Sequence, residues 1–252
     1  MGVIGGDVSL DAKDKCPYVY GKYESDLIET ILGIRKAPDR KGTLQLALES
    51  ARFHCGIQEN GNIGNFTFIT RQQYIDKLMK GVEIKRPSDE ADLFSALLQY
   101  FICLDQIGTL FYIEDKIDKS DTNGIINAIN MFSSINLSKR ELEALKNLRN
   151  SLGHAFGLVN VDMSKKNATH KFLLNFKDEY ESVISLPSRK NEWNGDYLDK
   201  NEETSTIIYV FPLIRFIEET IANVIEEYKK GTLRFICMEE IKARFTILQK
   251  EH

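Results

Sequence analysis

Apolar residues recur at helical spacing over most of the chain. Thr43 to Cys55 sets Leu44, Leu48 and Ala51 three and four residues apart with Ala47 alongside, which predicts a helix lying on a core. From Ser88, a candidate N-cap, a longer stripe runs through Leu93, Leu97, Phe101, Leu104, Gly108 and Phe111, widened by Phe94, Leu98 and Ile102. A helix this apolar is the centre of the core or is buried against a second subunit. A polar loop with Asp118, Asp121, Asn123 and Gly124 leads to a short helix around Ile125 to Phe132. Ser138 then stands three residues ahead of Glu141, the S-x-x-E box that closes a helix N-terminus, and predicts a helix from Lys139 to about Phe156.

Past Gly157 the period changes. Val159 to Met163, Lys171 to Phe176 and Ser182 to Leu186 are rich in β-formers and separated by polar turns, so a small antiparallel sheet is expected on the surface. Ile207 to Ile217 is apolar almost throughout, and Pro212 either starts the next helix or kinks a longer one, which runs to about Lys230 and stops at Gly231. A last amphipathic helix is expected over roughly Phe235 to Leu248. At the other end, the first 25 residues are Gly- and Asp-rich and read as an irregular arm, and Asp26 to Ile34 is a short amphipathic segment. Glu59 to Asn65 reads as a loop, and Thr70 caps an expected helix through Tyr74 and Leu78 to Lys80. The fold expected is mainly α. Residues 1–85 form an N-terminal extension packing on a helical domain at 86–252, which carries the β insertion at about 159–186.

The chain has 252 residues, 42% of them hydrophobic and 28% charged, enough for one sizeable core. Its longest charge-free stretch near the C-terminal third, Thr204 to Ile214, is about half the roughly 20 residues of a membrane span. The first residues lack the basic-then-apolar order of a secretory signal. A cytoplasmic protein without a membrane partner is therefore expected. The four cysteines, Cys16, Cys55, Cys103 and Cys237, are far apart and read as structural thiols, with no metal and no cofactor expected. A net charge of −4 argues against coating long nucleic acid non-specifically but leaves room for a small local site.

The candidate chemistry lies late in the Lys139 to Phe156 helix, in Arg149-Asn150-Ser151-Leu152-Gly153-His154. Asn150 and His154 are four apart and share a face with Asn147 and Glu143, roughly opposite the buried stripe. Gly153 leaves the helix open to close approach, at about 1 kcal/mol of helix propensity relative to Ala. An imidazole both takes and gives a proton near neutral pH, which suits activation of a ribose 2′-hydroxyl. A guanidinium offers paired donors to a phosphate whose charge grows during in-line attack.

Arg149-Asn150, three residues, then His154 resembles the R-N-x-x-x-H signature of the HEPN superfamily of helical ribonucleases, which includes toxin and abortive-infection proteins. The resemblance implies a HEPN-like bundle and a homodimer in which both copies of Arg149, Asn150 and His154 line one cleft. It also implies metal-independent endoribonuclease activity on an RNA substrate and a role in phage defence or a toxin system, with an antitoxin or regulatory protein as partner. The alternative is a non-catalytic helical module that binds RNA, a nucleotide or a protein. On the plainer account His154 only favours the helix C-terminus and Arg149 pairs with Glu143 or a neighbouring carboxylate. Asp105 and Glu114, on the less apolar side of the long helix, could reach the motif helix. His54, His170 and His252 read as ordinary, and Tyr100, Phe101, Phe111 and Tyr112 as core aromatics.

Overall fold

The structure is a computed structural model that describes residues 20–34, 40–55, 58–59, 66–67, 79–80, 90–116, 123–155, 157–162, 167–177, 181–196, 199, 201–235 and 246–248. The fold is mainly α. Its helices are α1 (Lys22–Ile31), α2 (Thr43–His54), α3 (Glu90–Leu110), α4 (Gly124–Phe132), α5 (Lys139–Ala155) and α6 (Val210–Lys229). The window Leu93–Leu110 of α3 is long and apolar enough to cross a membrane, and half of it is buried inside the protein. It serves as the central helix, with α2, α4, α5 and α6 all packed against it. Tyr100, Phe101, Leu97, Leu104 and Ile107 of α3 are fully buried in a core that also takes in Leu27, Ile28 and Ile31 of α1 and Leu44 and Leu48 of α2. The N-terminal helices and the later ones thus share one core.

Local signals set several helix ends. The Gly21 amide of α1 is satisfied by the Glu24 carboxylate at 2.7 Å, and Asn123 caps α4 by accepting from the Ile126 amide at 3.2 Å. The irregular arm expected over the first 25 residues is cut short by α1, which starts at Lys22, while residues 1–19 lie outside the described residues. Pro212 sits in the first turn of α6, where the amides lack helical partners anyway. Gly231 follows that helix at φ 70°, a left-handed conformation open to glycine.

The sheet departs from the expected antiparallel insertion. Strands β5 (Val159–Asp162), β6 (Asn167–Asn175), β7 (Ile184–Ser185) and β8 (Thr206–Tyr209) form one sheet in the order β5-β6-β8-β7. β5 pairs antiparallel with β6 and β7 with β8, but β6 and β8 run parallel, with Phe172 opposite Thr206 and Leu174 opposite Ile208. The sheet therefore draws in residues beyond 186, from a stretch whose uninterrupted apolar character resembles a helix. A buried parallel strand shows the same uninterrupted character.

Of three shorter pairings, two tie distant parts of the chain together and one is a local hairpin. β1 (Arg40–Gly42) pairs with β10 (Thr246–Leu248), β2 (Gln58–Glu59) with β3 (Phe66–Thr67), and β4 (Phe111–Ile113) with β9 (Leu233–Phe235), all antiparallel. Both described ends of the expected C-terminal helix are thus strands, and 236–245 lie outside the described residues. The expected helix through Tyr74 and Leu78 also falls largely outside them.

Candidate functional site

Helix α5 carries the motif, and its N-terminus closes as its sequence predicts. The Ser138 amide donates to Glu141 Oε2 at 2.7 Å, and the Glu141 amide donates to Ser138 Oγ at 3.4 Å. Leu145, Leu148 and Leu152 are fully buried, which fixes the rotation of α5 about its axis. At about 100° per residue, Arg149, Gly153, Asn150 and His154 then span one arc of about 140°. Arg149 borders the core and is half-buried like Asn150, while Gly153 and His154 are exposed.

Arg149 has a partner on the central helix. Its Nη2 donates to Asp105 Oδ2 at 2.8 Å, and its Nη1 to Asn150 Oδ1 at 3.4 Å. Each side chain of the Arg149–Asp105 pair is about a third exposed, at 29% and 31%. Such a pair contributes about 0–1 kcal/mol to stability, so its main effect is to orient the guanidinium. Of the two carboxylates within expected reach, Asp105 makes the contact and Glu114 instead faces Arg234 at 3.9 Å. Glu143, the other expected partner, engages Lys146 at 3.0 Å.

The position of Asp105 depends on a close crossing of α3 and α4. A Cβ on Gly108 would lie 1.8 Å from the Gly124 carbonyl oxygen, and one on Gly124 would lie 2.3 Å from the Asp105 carbonyl oxygen and 2.6 Å from its Oδ1. The two helices meet backbone to backbone, and Asp105 rests on that contact. Gly153 is different. Among the described residues, a Cβ there would meet Leu98 Cδ1 alone, at 4.0 Å, an ordinary contact. No packing among the described residues requires this glycine.

No hydrogen bond ties the His154 ring to another described residue. Arg149 and His154 project about 140° apart around the helix, so one chain presents them as two edges of an open face rather than as a closed pocket. Among the described residues no three His, Cys, Asp or Glu side chains gather at ligand distance.

Two features escaped the sequence reading. The first is a buried polar cluster in which Arg52 of α2 donates through Nε and Nη2 to Glu218 of α6 at 2.7 and 2.6 Å, and Tyr100 Oη donates to the same carboxylate at 2.6 Å. Burial, followed by the charge of Glu218, raises the Tyr100 pKa well above its ordinary value, so the phenol stays a donor. The signal was present in the pattern, since Glu218 lies on the same helical face as Ile214, Ile221 and Ile225 and Arg52 follows Leu48 by four residues. The second is a cavity of about 600 Å³ lined by His170, Lys171 and Trp193 together with the start of α5. Cys55 and Cys103 are buried thiols, and burial raises the Cys103 pKa; Cys16 and Cys237 lie outside the described residues. Tyr112 lies in β4, partly buried against the core.

Compared with family models, with curated proteins and with solved structures, the chain matches none.

Proposed function

We propose that the protein is a HEPN-like endoribonuclease whose site is completed when two copies bring their α5 helices together. In this reading His154 is the general acid or base for the ribose 2′-hydroxyl, and Arg149 holds the phosphate as its charge grows. Asn150 orients Arg149 or the phosphate. The groups need no metal for this chemistry, and the products are a 2′,3′-cyclic phosphate and a free 5′-hydroxyl. The resemblance further suggests a cytoplasmic role in phage defence or a toxin system, under control of an antitoxin or regulatory protein.

The observation that carries the reading is Gly153. It costs about 1 kcal/mol of helix stability relative to Ala, no contact among the described residues requires it, and it lies between Arg149 and Asn150 on the exposed arc. A glycine there serves something outside the chain, either a second α5 or a phosphate. Cleavage of a mixed RNA pool in excess EDTA, with analysis of the product ends, tests the proposal. Wild type yields cyclic-phosphate ends, and His154→Ala and Arg149→Ala each lose them. Wild-type protein that dimerises but leaves RNA intact rejects catalysis.

The second reading, a non-catalytic module binding RNA, a nucleotide or a protein through the same face, is favoured by the Arg149–Asp105 pair. A guanidinium already neutralised by a carboxylate at 2.8 Å is less able to stabilise a transition state. RNA binding without cleavage by a monomer supports this reading.

A further inference from the structure

The Arg149–Asp105 pair joins two helices that meet at the open face. Leu98 and Asp105, about two turns apart on α3, stand beside Gly153 and Arg149, about one turn apart on α5. Asp105 is the fixed member of the pair. Its stem is short and its Oδ1 rests against α4, where a Cβ added to Gly124 would sit 2.6 Å from it. Arg149 is the movable member, a long side chain that is 29% exposed and has several rotatable bonds.

The hold on Arg149 is incomplete. A guanidinium carries five N–H donors. Arg149 gives one to Asp105 Oδ2 at 2.8 Å and one to Asn150 Oδ1 at 3.4 Å, which is long for a hydrogen bond, and the others have no partner among the described residues. Asp105 is likewise open, since its Oδ1 accepts no hydrogen bond from the described residues. An RNA phosphate within hydrogen-bond reach of this guanidinium either takes the place of Asp105 or lies close to its negative charge. Displacement gives up the ion pair and sharing sets two anions side by side, so in both arrangements Asp105 lowers the affinity of Arg149 for phosphate.

We infer that Asp105 is a built-in competitor for the RNA phosphate at Arg149, which keeps RNA binding weak and readily reversed. The inference rests on the reading of Arg149 as the group that holds the phosphate, and it gives Asp105 a regulatory part rather than a part in the chemistry. The two roles open to this carboxylate differ in sign. If it only aims the guanidinium, its loss weakens binding; as a competitor, its loss strengthens binding. Asn150 still holds the guanidinium through Nη1 when Asp105 is removed, so the loss of aim is the smaller effect.

Binding and cleavage are measured separately on full-length protein. Wild type, Asp105→Asn, Asp105→Ser, Arg149→Ala and the double variant Asp105→Asn/Arg149→Ala are titrated at one low salt concentration with a fluorescent 2′-O-methyl RNA. That probe carries phosphates but no free 2′-hydroxyl, so the proposed route cannot cut it. Asn keeps the shape of Asp beside Gly124, and Ser removes the same charge with less bulk. The expected result is an affinity about two- to fivefold higher in both single Asp105 variants, the size of an exposed ion pair. On ordinary RNA their KM falls by a similar factor with kcat little changed. Arg149→Ala binds more weakly than wild type, and adding Asp105→Asn to it brings no gain. Equal or weaker binding in the Asp105 variants overturns the inference, as does the same gain without Arg149 or a lack of binding by all five proteins. Wild type that binds the probe but leaves ordinary RNA intact rejects the ribonuclease reading, and the binding comparison then decides the role of Asp105 by itself.

Discussion

Gly153 and Gly124 both lie in helices, yet a methyl group on each has opposite consequences. At Gly153 the added Cβ makes an ordinary contact with Leu98, so Gly153→Ala should stabilise the fold by about 1 kcal/mol and raise Tm by about 2–4 °C. If the open face receives a second helix or a phosphate, the same substitution lowers RNA cleavage, which paired melting and cleavage assays would show; unchanged cleavage removes the reason given for the glycine. At Gly124 the added Cβ runs into the backbone of Asp105, so Gly124→Ala should lose about 1–3 kcal/mol in denaturant titration. Removing the Glu218 carboxylate takes from the buried Arg52 the acceptor of its Nε and Nη2 donors. Glu218→Ala is therefore expected to lose about 3–5 kcal/mol by the same measurement, far more than Asp105→Asn, whose partner Arg149 is partly solvated.

Among the elements, α5 was the most legible, because its capping box, its leucine stripe and its polar face are all encoded within 17 residues. The α3 stripe was equally plain, although its last member, Phe111, turns out to begin β4. Strands β8, β9 and β10 were not legible. β8 forms the start of a continuous apolar run, in which periodicity does not separate a buried strand from a helix. β9 and β10 exist because β4 and β1 lie beside them, and such pairing leaves no local pattern. At the site, Arg149, Asn150 and His154 could be named from spacing alone, and Asp105 only as a carboxylate within reach. The cavity of Lys171, Trp193 and Arg140 could not, since the strand, loop and helix that line it are distant in sequence.

The sheet also carries a pH dependence. Burial lowers the pKa of His170 on β6 from its ordinary 6.5, so the unfolded chain binds a proton more readily than the folded one. Stability therefore rises with pH through this range, and the contribution of His170 is lost as pH falls below about 6.5. Denaturant titrations at about pH 7.5 and about pH 5 should show this loss, and His170→Gln should reduce it.

At the scale of the whole molecule, one core joins α1 and α2 to the later helices, and the Arg52–Glu218 pair and the β1–β10 and β4–β9 ladders bind the two ends of the chain to it. Helices α1 and α2 are thus built into the body that holds α5. That body offers Arg149 and His154 as separate edges of one open face, which the proposed ribonuclease closes with a second copy. The most direct test mixes two inactive proteins, Arg149→Ala and His154→Ala, after confirming that each is folded and dimeric, and assays RNA cleavage once subunits have exchanged. With a site shared between two chains, the mixture regains cyclic-phosphate products that neither variant forms alone. A mixture that exchanges subunits and stays inactive contradicts a site shared between two chains.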